Sequence, residues 1–269
     1  MRKLIATSAT AALLFSGGAL ATPLTGLNNT GVGVNNNGQD TNYTVTTVGL
    51  PNSPLSASNG FGTTTGGADG NGNALNLQGS QAYVAPANDS YIPTAGSASG
   101  ATGQWIPSTD MGNGSFSSWI TPLTPSSISL DPSVNGEYMY QTTFTISGNQ
   151  NLLSAQLSGA WAADNFGYIT LNGNVIASIN DPRNVGQADG AAYDSWNSIA
   201  AVANSDFKYG TNTLDFYVYN IGQSSGNPTG LRADFISSIT SAVPEPTEGT
   251  LLLAGLGLLG FIATRRKSV

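Results

Sequence analysis

Gly136-Glu-Tyr-Met-Tyr-Gln-Thr-Thr-Phe-Thr-Ile146 alternates apolar and polar side chains with a period of two. Tyr138, Tyr140, Phe144 and Ile146 fall on one face, and Met139, Gln141, Thr143 and Thr145 on the other. That is the pattern of a half-buried strand, because successive strand side chains point to opposite faces. Outward from this stretch, Leu153, Ala155, Leu157 and Trp161 alternate with Ser154, Gln156 and Ser158. Leu214, Phe216 and Val218 alternate with Asp215, Tyr217 and Tyr219, and Leu231, Ala233, Phe235 and Ile239 with Arg232, Asp234 and Ser238. Tyr168-Ile-Thr-Leu171 and Asn174-Val-Ile-Ala177 flank Asn172-Gly173, a dipeptide that tolerates the positive φ angles of a type I′ hairpin turn. No comparable amphipathic helix accompanies them. Four alternating runs and a hairpin, separated by Gly, Asn, Pro and Asp, predict an all-β, antiparallel β-sandwich with one face of each sheet buried.

Before Gly136 the pattern thins. Tyr43–Val48, Ala74–Val84 and Ser117–Thr121 are strand candidates, whereas Ser56–Gly72 and Thr94–Gly103 are rich in Gly, Ser, Thr and Ala and read as long surface loops. An alternative division has a low-complexity N-terminal linker ahead of a smaller domain that begins near Gln104.

Composition narrows the chemistry. The 269 residues include 34 glycines and 13 prolines, only 9% are charged, and there is no cysteine and no histidine. Disulfides, thiolate or imidazole metal sites and His-dependent nucleophiles are thereby excluded, which leaves carboxylates, hydroxyls, amides and aromatic rings. Between Thr22 and Ala242 stand 13 acidic residues against three basic ones, a net charge of −10 that repels phosphate backbones. Nucleic acid is not an expected partner.

The remaining basic residues sit at the ends. Met1-Arg2-Lys3, an apolar stretch from Leu4 to Leu14 and Gly18-Ala19-Leu20-Ala21 have the order of a secretory signal peptide spanning residues 1–21, with cleavage between Ala21 and Thr22. At the other end, Val243-Pro244-Glu245-Pro246 precedes an uncharged stretch from Thr250 to Thr264, followed by Arg265, Arg266 and Lys267. Fifteen helical residues span about 22 Å, somewhat short of a hydrocarbon core of about 30 Å, so flanking residues complete a single transmembrane helix. The basic triplet stays cytoplasmic by the positive-inside rule and leaves the preceding domain outside.

Val243-Pro244-Glu245-Pro246, a short Gly/Leu-rich helix and a terminal Arg cluster resemble the PEP-CTERM sorting signal of exopolysaccharide-producing Gram-negative bacteria. The resemblance covers residues 243–269. It implies processing by an exosortase, after signal peptidase has acted, from an inner-membrane intermediate whose domain lies outside. The protein then reaches the cell surface or the extracellular matrix. A second resemblance is carried by Asn29-Thr30-Gly31-Val32, Tyr43-Thr44, Trp119-Ile120-Thr121-Pro122 and Gly136 to Phe144. It continues in Gly159-Ala-Trp-Ala-Ala-Asp-Asn165, Leu171-Asn-Gly173, Gly210 to Phe216 and Asn227-Pro-Thr-Gly-Leu-Arg232. These look like a β-sandwich region often borne by PEP-CTERM proteins and similar to galactose-binding-like jelly rolls. It implies one jelly-roll-like domain over residues 22–242, from which this chain departs by a Gly/Ser/Thr-rich insertion near residues 56–103.

Three places are candidates for a site. Asp164 and Asn165 end a strand with the hard oxygens that suit Ca²⁺, and jelly rolls of the resembled class often hold a structural calcium; the competing reading is an Asx-turn between two strands. The segment from Asp181 to Trp196 gathers acids and aromatics in one loop. Tyr193 or Trp196 is placed there to stack on a sugar ring while Asp189 and Asp194 accept its hydroxyls, although Trp196 serves equally as a core residue. Asn227-Pro228-Thr229-Gly230 reads as a turn feeding the last strand, with Arg232 pairing to an acid across the sheet. A glycosidase needs two carboxylates, but Glu137 is the only Glu before the tail and no catalytic pair is assignable. The expected protein is therefore non-catalytic, without a required cofactor, and associates with polysaccharide. The alternative is an adhesin or structural protein that contacts other proteins through strand faces such as Tyr217 and Tyr219. Ice binding ranks third, for want of a flat Thr-x-Thr ladder.

Overall fold

Strand β7 (Gly136–Ile146) pairs with β12 (Gly210–Asn220) along its entire length, from Gly210 opposite Ile146 to Asn220 opposite Gly136. Both strands are eleven residues long, and every second residue of each enters the core. The computed structural model describes residues 20–48, 66–86, 105–106, 117–126, 128–179, 192–224 and 226–241, together with Leu256, Gly257 and Leu259.

The other strands, in chain order, are β1 (Ala21–Thr22), β2 (Gln39–Thr47), β3 (Gly67–Ala68), β4 (Ala74–Leu75), β5 (Ser80–Val84) and β6 (Ile120–Thr121). After β7 come β8 (Gln156–Asp164), β9 (Phe166–Leu171), β10 (Asn174–Ile179) and β11 (Asn197–Ile199), and after β12 comes β13 (Gly230–Thr240). All named pairings are antiparallel, and they run in the order β10-β9-β12-β7-β2-β5-β6-β13-β8-β11, with β1 added to β13 and β3–β4 forming a separate small ribbon. The two edge strands β10 and β11 approach each other, so the sheet curls into a nearly closed barrel. The antiparallel β-rich architecture agrees with the sequence pattern. The hydrogen bonds, however, draw one continuous ladder, because β5 bridges β2 and β6.

Phe216 lies at the centre of the enclosed core, with ring centroids 6.3 Å from both Tyr43 and Trp161. Phe144, Leu171, Leu214 and Leu231 close around it. Ala155, Leu157 and Trp161 all point inward from the β8 segment. The turn between β9 and β10 has φ of 52° at Asn172 and 88° at Gly173, both left-handed as the Asn-Gly dipeptide predicts. Asn172 also donates to the Asp206 carbonyl (2.7 Å) and the Asn212 side chain (2.9 Å), tying the turn to the start of β12.

Several expectations need correction. Leu153 is not part of the β8 alternation: the Asn151 side chain accepts from the Leu153 amide (3.2 Å) and starts a 3-10 turn that leaves Leu153 exposed. Tyr219 is buried, because Phe166 stacks on it at 5.3 Å with nearly parallel rings; it is no exposed contact residue, and Tyr217 is half-buried against Tyr168. Gly67 and Ala68, within the stretch read as a surface loop, are buried in the β3–β4 ribbon. Residues 56–65 of that loop and the whole of Thr94–Gly103 lie outside the described residues.

β13 fixes the direction of the domain. Its last residues, Ile239 and Thr240, pair with Thr22 and Ala21, so the chain enters and leaves the barrel side by side. Its first residues, Gly230 to Arg232, lie at the opposite end, about 27–33 Å away at the rise of a strand. The two ends are called here the terminal pole and the loop pole. Val243–Pro246 and Arg265–Lys267 lie outside the described residues; Leu256, Gly257 and Leu259 are helical, and no helix among the described residues is long and apolar enough to cross a membrane.

Two substitutions test this packing. Trp161→Ala removes a fully buried indole and is expected to lower unfolding free energy by about 3–5 kcal/mol. Gly167→Ala places a Cβ 1.8 Å from the Tyr217 carbonyl oxygen and forces β9 away from β12. Both variants are expected to unfold at lower urea than the parent, and an unchanged midpoint for either contradicts the packing described.

Candidate functional site

At the loop pole the ends of the strands are bound together by buried polar side chains. Asp131 adopts φ of 51°, a left-handed conformation that Asp tolerates, and its carboxylate turns back into the domain. It accepts from the Ala68 amide (2.6 Å), the Tyr138 hydroxyl (2.9 Å) and the Asn220 amide group (2.8 Å). Gly136 is required beside it, since a Cβ there would meet the carboxylate at 2.2 Å. Asn227 donates to the carbonyls of Leu130 (2.8 Å) and Ile221 (2.9 Å) and joins the loops before β7 and β13.

A second cluster covers the outer face of β8 and β13. Ala162 lies opposite Arg232 and Asp164 opposite Gly230, so Arg232 and Asp164 share that face. Trp105 and Trp119 stack over it at 4.4 Å, Tyr193 is buried beside them, and Trp196 packs at the margin. Gly230 makes room for this cover: a Cβ there would stand 3.0 Å from the Trp105 ring and 3.3 Å from Trp119. The Trp105 indole donates to Asp164 (2.8 Å), and the Trp119 indole to the Ile106 carbonyl (3.0 Å). The fully buried Arg232 donates from Nε to Ser117 (3.0 Å) and from Nη1 to the Ile106 carbonyl (3.3 Å), and its guanidinium lies 4.7 Å from the centre of the Trp196 ring. A cation above an indole face is attracted by the ring quadrupole, most strongly when shielded from water.

The residues singled out from sequence are divided by this geometry. Asp164 and Asn165 diverge: one carboxylate oxygen of Asp164 accepts from the Trp105 indole, and the Asn165 side-chain oxygen Oδ1 accepts from the Ile221 amide (2.7 Å). Neither hydrogen bond is that of an Asx-turn, and among the described residues no three acidic side chains gather as for a metal. Tyr193 is buried and its carbonyl accepts from Ile106 (2.8 Å), while Asp194 and Trp196 are half-buried at the rim. Asp189 lies outside the described residues. Directly across the ladder from Arg232 stands Ala162, not an acid, and the guanidinium reaches past it to the Trp196 loop.

Trp105, Asp131 and Glu137 were not identified as functional residues from sequence. Glu137 lies beside Tyr219 and, through it, Phe166 in ladder register. Its side chain is fully buried and neither carboxylate oxygen has a hydrogen-bond partner of good geometry. Burial pushes it up to about 7, opposed only by the nearby Tyr219 hydroxyl. Burial likewise pushes Asp164 up to about 7 against the pull of the Trp105 indole. Each acid is enclosed by its own aromatic cluster and stays neutral in mildly acidic medium, where it is a hydrogen-bond donor and not a charge.

Both folded-state values exceed those of an unfolded chain, so the native state holds more protons between about pH 4 and pH 7. Stability is therefore expected to be greatest below that window, to fall by up to about 1.4 kcal/mol per pH unit for each acid, and to level off above about pH 7. Asp164→Asn keeps an acceptor for Trp105 and is expected to flatten part of the slope in urea melts at pH 5 and 7.5. A variant with the parent's full slope would contradict the assignment.

No family model matches the chain, and no curated protein matches it. Among solved structures it is similar to a selenomethionine-labelled β-glucosidase from Kluyveromyces marxianus, at 12% identity and a TM-score of 0.25, over 39% of this chain and 12% of that one.

Proposed function

We infer that the chain is an exported, non-catalytic surface or matrix protein of a Gram-negative bacterium, sorted by an exosortase-type system, whose β-domain associates with polysaccharide. In this reading the curled sheet is a jelly-roll-like sandwich of two five-stranded halves, β10-β9-β12-β7-β2 and β5-β6-β13-β8-β11. The observation that supports it most is the pairing of β1 with the end of β13. Signal-peptide cleavage between Ala21 and Thr22 and departure toward Val243–Pro246 then occur at one pole, and the Trp196 rim faces away from the membrane. Trp196 is the one tryptophan of the cluster that is only half-buried, and Asp194 stands beside it as an acceptor for sugar hydroxyls. The adhesin reading is weakened by the burial of Tyr219.

Replacing Pro244, Glu245 and Pro246 together by Ala is expected to leave an intact, inner-membrane-bound protein, whereas the parent loses Leu251 to Val269. Mass spectrometry of surface-extracted parent protein that recovers peptides containing Phe261–Thr264 would leave a permanent anchor as the better account.

Polysaccharide association is read by affinity electrophoresis through gels containing the host's exopolysaccharide. The parent domain is expected to be retarded and Trp196→Ala to run freely while keeping its circular dichroism spectrum. Equal mobility of the two with and without polysaccharide would refute the association.

A further inference from the structure

We propose that the terminal pole of the domain is a lipid-contacting surface that rests on the outer face of the inner membrane while the chain is still anchored. The proposal rests on the anchor reading above. Among the described residues from 22 to 241, which remain after signal-peptide cleavage, six large apolar or aromatic side chains are strongly exposed, and three of them stand at this one pole. Leu153 (77% exposed) lies in the turn whose Asn151 amide donates to the Thr240 carbonyl (2.8 Å) and whose Ser154 hydroxyl accepts from the Thr240 amide (2.9 Å). Tyr209 (54% exposed) donates to the Gln150 carbonyl (3.3 Å), and Gln150 itself bridges to Ser241. Val175 (48% exposed) follows the β9–β10 turn, which the side chains of Asn172 and Asn174 tie to Asp206.

These side chains surround the point where the chain leaves the domain. Eight residues separate Ser241 from Thr250, so even when fully extended they let the pole stand no more than about 32 Å from the start of the apolar segment. Leu and Val there would enter the headgroup boundary, and Tyr209, apolar in its ring and polar at its hydroxyl, suits the interface itself. Lys208 and Asp206 are the charged groups beside them and offset one another, which fits a zwitterionic lipid surface. Processing at the sorting motif would free the domain from lipid, because the isolated contacts are few.

The chain has no cysteine, so single-cysteine variants carry a fluorophore at one chosen place. Leu153→Cys and, at the loop pole, Val134→Cys are labelled with an environment-sensitive dye in the full chain and reconstituted into phosphatidylcholine vesicles. The 153 label is expected to emit to the blue of the 134 label and to be quenched several-fold more by brominated phosphatidylcholine. Equal, water-like emission at both positions in chain that floats with the vesicles overturns the lipid contact and leaves the anchor intact. A blue shift at 153 without quenching by brominated lipid assigns the patch to a second protein copy and overturns it also. Chain that does not float with vesicles removes the anchor reading and the proposal with it.

Discussion

Strand β13 is bonded to β8 over nine consecutive residue pairs, to β6 at Leu231 and to β1 at Ile239 and Thr240. That pinning along one extended segment sets where everything else lies. Leu231, Ala233 and Ile239 point into the barrel and share the core with Trp161 and Phe216, while Arg232 and Asp234 point outward. The first end of the strand therefore organises the aromatic cover of the loop pole, and the last end holds both chain exits. Interchanging these assignments would require a one-residue slip, which would drive Arg232 into the apolar core.

Burial of polar groups at the loop pole carries a cost that the surroundings offset unevenly. Asp131 is met by three donors, and Arg232 by a hydroxyl, a carbonyl and an indole face. Glu137 has no such compensation, and burial shifts it toward the neutral form, as it does Asp164. Burial raises Asp131 as well, opposed by its three donors, so all three acids at this pole tie its stability to protonation. Without cysteine or histidine, this polar stitching does the work of joining loops that disulfides do in many exported domains.

The strands were legible because period-two alternation is a local property. β7, β12, the inward face of β8 and the Asn172-Gly173 turn all follow from residues within a few positions of one another. The covering of the outer face was not legible. Alternation assumes that one face is dry and the other wet, so Glu137, Tyr219, Arg232 and Asp234 read as solvent-facing. They are buried because other segments lie over them: Trp105 and Trp119, brought from far along the chain, cover Arg232, and Phe166 stacks on Tyr219. Trp105 carries no alternation around it and gave no signal of its own. Leu153 fitted the strand pattern by chance of spacing, and a side-chain hydrogen bond from Asn151 decided the local structure. The candidate site was legible only in part for the same reason: Tyr193 and Trp196 were found by type, but their division into buried and rim residues depends on the cover.

Residues 21–22 meet the end of β13 at one pole, and the Trp196 rim lies at the other. Spin labels on cysteines introduced at the exposed positions Thr22, Ser195 and Ser241 measure this directly by pulsed electron–electron resonance. Backbones at 22 and 241 are expected to lie about 5–10 Å apart, as neighbouring strands do, and 195 to lie roughly 25–35 Å from 241, the length of β13. A long 22–241 distance, or a 195–241 distance no greater than it, would contradict the polarity on which the functional reading depends.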